Sequence, residues 1–248
     1  MKRKILPLFT ALSIISTMSF SSFAEENKTE ILFRNIPWGT NYADIKQELS
    51  DFDWYDMSFD MMRTYSVYEV LTDSQYADGV LDFENSGINM IAQPFSNKET
   101  EVAGYTTTDI QLFFAYTPID GTLPKDDINT ALYGATYSFS PQNLQQMSED
   151  LISKLSSLYG EADQTTTDKD IFGNKTSITW WSGDNDTHVV LRTIDSSEDT
   201  SDLYDDELFI SYACGKGDEF LKEADDTIST ANSDKESSNY GNGNTTGL

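Results

Sequence analysis

Beyond an apolar opening run from Ile5 to Phe20, hydrophobic residues come in short alternating stretches separated by turn residues, with two helical interruptions. Residues 31–36 read as a strand that Pro37-Trp38-Gly39 stops. Thr40 then offers an N-cap, and Tyr42, Ile45 and Leu49 fall on one side of a helix. Residues 51–87 have no clean period; within them 65–71 fits a strand, and Asp78-Gly79 marks a turn before 80–83. Three strand-like runs follow at 88–93, 101–107 and 110–117, the last with Ile110, Leu112, Phe114 and Tyr116 on one face. After a loop over 120–129, residues 131–139 line up Tyr133, Ala135, Tyr137 and Phe139.

The strongest helix signal lies at 141–159. Ser140 is the expected cap and Pro141 the first helical residue, where a missing N–H costs nothing. Leu144, Met147, Leu151, Leu155, Leu158 and Tyr159 make one apolar stripe, and Gly160 ends it. Strands follow at 177–181, 187–193 and 207–213. The order strand–helix–strand–strand–strand thus occurs twice, over 31–117 and 131–213. The predicted fold class is α+β: one domain over residues 25–214, an antiparallel sheet with helices on one face, built as two divergent β-α-β-β-β units. Phe220, Leu221 and Ile228 allow a short helical extension, but residues 215–248 are expected to form an acidic, mostly disordered tail.

Lys2, Arg3 and Lys4 before the apolar run and Ser22-Phe23-Ala24 after it have the form of an export signal over residues 1–24, cut after Ala24. The run is broken by Pro7 and falls short of the ~20 residues that cross a bilayer. The expectation is a secreted protein with no membrane span and, lacking a cysteine beside the cut, no lipid anchor. Removing the three basic residues of the leader takes the net charge from −26 to −29. A surface so negative repels phosphate backbones and anionic lipid, which argues against nucleic-acid partners and membrane attachment. Cys214 is the only cysteine, so there is no internal disulfide. It shares a face with Leu208, Ile210 and Tyr212 and reads as a small buried hydrophobe.

Candidate chemistry is sparse. His188 is the only histidine, so a serine or cysteine hydrolase would have to use it as base, and no Gly-x-Ser-x-Gly run is present. One His and one Cys do not make an ordinary zinc ligand set. Calcium is the ion that the oxygen-rich segments suit: Asp195, Asp199 and Asp206 echo the spacing of an EF-hand loop, although Thr200 stands where glycine is wanted, and Asp184, Asn185 and Asp186 form a second cluster. Trp180 and Trp181, adjacent in one strand, must point to opposite faces, so one is available for binding if it is not covered. Trp38 is a third aromatic candidate.

Residues 33–46, with Ile36-Pro37-Trp38-Gly39-Thr40 at their centre, resemble the strand–turn–helix opening of uncharacterised secreted proteins of Gram-positive bacteria. Residues 155–161, Leu-Ser-Ser-Leu-Tyr-Gly-Glu, resemble the end of a helix in the same proteins. More distantly, a small-residue turn entering a helix and then antiparallel strands is similar to the envelope lipoprotein BamE and to β-lactamase inhibitory proteins. That likeness implies a strand face or loops that bind another protein. Here Trp38-Gly39-Thr40 replaces the Gly-Met-Thr of that group, and the paired cysteines of the inhibitors are missing. The leading expectation is therefore a non-enzymatic extracellular module that binds an unknown protein or glycan. The alternatives are a carboxylate-dependent cell-surface hydrolase and a calcium-stabilised structural protein.

Overall fold

The computed structural model describes residues 28–57, 65–72, 89–95, 100–116, 130–170, 173–196 and 205–241. The export signal, the turn at 78–79, the strand at 80–83 and the loop at 120–129 lie outside them. In chain order the elements are α1 (Tyr42–Glu48), β1 (Asp53–Met57), α2 (Val67–Thr72), β2 (Asn89–Phe95), β3 (Glu101–Val102), β4 (Tyr105–Thr106), β5 (Asp109–Tyr116) and β6 (Thr130–Phe139). Then come α3 (Leu144–Tyr159), β7 (Gln164–Lys169), β8 (Lys175–Ser182), β9 (Thr187–Asp195), β10 (Glu207–Cys214) and α4 (Gly217–Gly241).

Eight strands form one sheet in the order β1-β2-β5-β6-β10-β9-β8-β7, antiparallel at every pairing, while β3 and β4 form a separate hairpin. The fold is α+β, as the alternating stretches imply. Each half follows one plan: a helix, then strands that start at an outer edge and step inward. The run β1, β2, β5 leads in from one edge and β7, β8, β9, β10 from the other, meeting on either side of β6.

The helices do not gather on one face. Tyr42 and Ile45 of α1 and Met147, Leu151 and Leu155 of α3 pack with Leu112, Phe114, Trp181, Leu191 and Ile210. Val67, Val70 and Leu71 of α2 and Leu221 of α4 pack with Phe113, Tyr133, Val190 and Ala213 on the other side. The cause is in the central strands. Residues 112–115 and 189–191 are apolar without a break, so both faces of the sheet must be kept from water.

A bulge in β6 sets how α2 lies. Phe113 pairs with Gly134 and Phe114 with Leu132, leaving Tyr133 as the extra residue. It turns toward α2, away from Ala135, Tyr137 and Phe139, with which the strand period had aligned it. Beside it, a Cβ on Gly134 would lie 2.7 Å from Val70 Cγ1. Glycine lets the helix rest directly on the strand. Gly134→Ala is expected to destabilise the protein by about 1–3 kcal/mol through overpacking, read from the midpoint of denaturant unfolding. An unchanged midpoint would mean that α2 does not press there.

Other local expectations change for identifiable reasons. Residues 31–36 make a tight turn in place of a strand, with Arg34 and Asn35 at φ of 50° and 61° and the Ile36 amide donating to Phe33 O. Ile31, Phe33 and Ile36 are still buried, so the pattern reported burial correctly and extension wrongly. Asn41, not Thr40, caps α1, and Asn143, not Ser140, caps α3. Residues 65–71 enter a helix because Ser66 and Glu69 form a reciprocal capping box: the Ser66 amide donates to Glu69 Oε2 and the Glu69 amide to Ser66 Oγ. Strand β7 has no apolar alternation and went unread; all six of its residues are exposed.

Helix α4 stands where a disordered tail was expected. Its first turns are anchored, with Leu221 and Ala224 buried and Asp218 accepting from the Val67 amide. Composition alone does not register that anchor.

Candidate functional site

The β8–β9 hairpin carries the densest set of polar and aromatic groups. Its turn needs left-handed backbone, and Asn185 and Asp186 both adopt φ of 57°, a region in which short Asn and Asp side chains are tolerated best among non-glycine residues. Ser182 pairs across the hairpin with His188, and Trp180 with Val190, so Trp180, Ser182 and His188 all project on the α2/α4 face. His188 Nε2 lies 3.0 Å from Asp186 Oδ1, and His188 Nδ1 lies 3.3 Å from Ser182 Oγ. The Trp180 and His188 rings meet edge-to-face, 6.2 Å between centroids.

Helix α2 completes this surface. Tyr68 stacks on Trp180 at 6.2 Å with 22° between the ring planes, and 62% of it is exposed. Asp186 is seated against Gly215, whose amide donates to Asp186 O at 2.6 Å; a Cβ at 215 would fall 1.7 Å from Asp186 Oδ2. The close approach requires glycine. On the other side of Ser182, Asp163 takes hydrogen bonds from Ser182 and from Lys28 Nζ at 3.2 Å. Partial burial pushes the Asp163 carboxyl up, but these bonds together outweigh it and leave the group below the usual carboxylate range.

Ser182, His188 and Asp186 are the residue types of a hydrolytic triad, yet the surroundings do not suit acyl transfer. The Ser182 hydroxyl is shared with Asp163. The adjacent amides are committed, Gly183 N to Thr187 O at 2.7 Å and Asp184 N to Thr29 O at 3.2 Å, so neither is free to hold an oxyanion. The array ties the hairpin end together.

The other residues singled out by sequence are dispersed. Trp181 is 1% exposed and belongs to the α1/α3 core, opposite Trp180, as adjacency in a strand requires. Trp38 donates its indole N–H to Ile31 O at 2.9 Å and braces the turn at 31–36. Asp184 O accepts from Thr187 Oγ1 and serves the turn. Asp195 ends β9 opposite Lys175, and Asp206 accepts from the amide and hydroxyl of Ser196. Asp199 lies outside the described residues. Strand β9 separates the 184–186 cluster from Asp195 by nine residues, about 30 Å, so the two acidic clusters do not form one site. Among the described residues no three or more His, Cys, Asp or Glu side chains are grouped to hold a metal.

Cys214 is buried, and desolvation raises its pKa, which keeps it a thiol. Tyr68 was not anticipated; the capping pair Ser66 and Glu69 is the signal that puts residues 67–72 in a helix and lets Tyr68 project away from its buried side. No helix among the described residues is long and apolar enough to cross a membrane. No protein-family model matches the chain, and comparison with curated proteins and with solved structures finds no match.

Proposed function

We propose that the protein is a non-enzymatic extracellular interaction module that takes a glycan on the surface formed by Tyr68, Trp180 and His188. The observation that carries this reading is Tyr68: a large ring, mostly in solvent, held flat on a second aromatic ring. Exposed aromatic faces offer apolar contact at low entropic cost, and a few fixed polar groups then set orientation. Here the Asp186 carboxylate, 70% exposed, stands at the rim as an acceptor for hydroxyl groups, and His188, its ring nitrogens held by Asp186 and Ser182, fixes its place. The net charge of −26 disfavours anionic sugars, so the expected ligand is neutral or carries amino groups. Among the described residues the two carboxylates with displaced pKa values, Asp150 and Asp163, are both held low, which is the wrong direction for the general acid of a glycosidase.

Titration calorimetry with soluble oligomers of glucose and of N-acetylglucosamine tests the reading. Saturable binding is expected for at least one of them, weakened at least tenfold by Tyr68→Ala with no loss of thermal stability. Equal binding by that variant, or none by the parent protein, would refute it. New reducing ends accumulating in the same samples would favour the hydrolase alternative.

A further inference from the structure

Strand β7 is an open edge of the eight-stranded sheet. Among the described residues it pairs only with β8, and every residue of it is exposed. Sheet edges are usually shielded by charge, proline, a bulge or a covering element. Here the first four residues, Gln164, Thr165, Thr166 and Thr167, are uncharged.

The register shows which backbone groups are free. The Asp170 amide donates to Asn174 O at 3.0 Å, which sets residues 170 and 174 at a hydrogen-bonded position of the ladder, with the Asn174 amide donating to Asp170 Oδ1. Alternation along an antiparallel ladder then turns Gln164, Thr166 and Asp168 inward to β8. The Lys169 amide donates to Asp168 Oδ1, while the N–H and C=O groups of Thr165 and Thr167 are directed away from the sheet. They repeat every ~6.8 Å, the period of an incoming strand. Side-chain bonds of 3.1 Å, Thr165 to Thr179 and Thr167 to Ser177, hold the edge flat and in register before anything docks. The ordering cost of the receiving strand has already been met.

We infer that β7 receives an extended basic segment of another protein as a ninth strand. Charge decides between this occupant and a second copy of the chain. Two copies would bring two molecules of net charge −26 edge to edge, whereas a cationic segment is drawn in by the same field. Around the strand, Glu161, Asp163, Asp168 and Asp170 outnumber Lys28, Lys169 and Lys175. Main-chain pairing supplies the contact and flanking carboxylates the preference, the division of labour seen whenever a peptide extends a sheet. This inference uses no group of the Tyr68 surface and stands or falls separately from it.

The test is fluorescence anisotropy with a labelled nine-residue peptide of alternating threonine and valine carrying three lysines, and its counterpart carrying three glutamates. The lysine peptide is expected to bind saturably at low ionic strength, more weakly as salt rises, and at least tenfold tighter than the glutamate peptide. Thr167→Pro removes an outward N–H and leaves the bonds to β8 intact, so it is expected to cut affinity at least tenfold; Thr166→Val and Tyr68→Ala are expected to leave it unchanged. Hydrogen exchange on the unmodified protein keeps the test independent of whether the proline variant folds: the peptide should protect the Thr165 and Thr167 amides. Undiminished binding by a folded Thr167→Pro variant, no new protection at those amides, or no saturation at millimolar peptide would overturn the inference.

Discussion

Trp181→Ala is expected to cost about 3–5 kcal/mol, the range for emptying a fully buried large aromatic site, and to lower the thermal midpoint by about 6–20 °C at 2–4 °C per kcal/mol. The residue is 1% exposed and sits where α1 and α3 close on the sheet, among Leu191, Ile210, Ile45 and Leu155. No small movement of two helices and a sheet fills a cavity the size of an indole. One detail divides the loss into parts. Trp181 Nε1 is buried with no hydrogen-bond partner, and an unmet donor costs about 1–3 kcal/mol by itself. Trp181→Phe, which removes the donor and keeps most of the apolar volume, should therefore recover most of the stability. Calorimetric melting of the two variants beside Trp180→Ala checks this. If the Trp180 change proved the more damaging, the assignment of faces would be wrong.

Leu151→Ala is expected to cost about 2–5 kcal/mol, while Leu158→Ala, on the same helical stripe, should stay within ~0.5 kcal/mol. Leu151 is fully buried beneath α3; Leu158 is 69% exposed. The last turn of α3 runs out beside the Ser182-Gly183 turn, where Leu158 and Tyr159 rim a shallow cavity of about 180 Å³ with Lys28 and Thr29. The stripe continues there, but Leu158 stands clear of the sheet while Tyr159 still packs against the core. Denaturant unfolding of the two variants separates position on the stripe from contact with the core, and equal losses would mean that the helix is rotated from its described setting.

These pairs show what was legible and what was not. Strands β5, β8, β9 and β10 and helix α3 could be read because each carries its own period, and each period has a single geometric cause. The opposition of Trp180 and Trp181 was readable for the same reason. Tyr68 was not, because its position depends on α2 lying over β6, β10 and β9, and α2 is held there by the Tyr133 bulge and by Gly134. The two candidate calcium clusters stay as separate as the sequence has them, because a nine-residue strand runs between them. The length of helix α4 was not legible beyond the short extension that Phe220, Leu221 and Ile228 allow, because its anchor is Asp218, Leu221 and Ala224 in an otherwise polar stretch.

The sequence by itself determined the α+β class, the antiparallel strands and, except at the Tyr133 bulge, the partition of side chains between the two sides of the strands that carry a period, since these follow from local backbone geometry repeated residue by residue. Only the tertiary structure decided that helices cover both faces, that β7 is left as an open edge, and that Tyr68 meets Trp180 beside His188 and Asp186. Those outcomes rest on contacts between segments distant in the chain. A contact of that kind leaves no period in either segment, because packing selects for shape and burial at the meeting point alone.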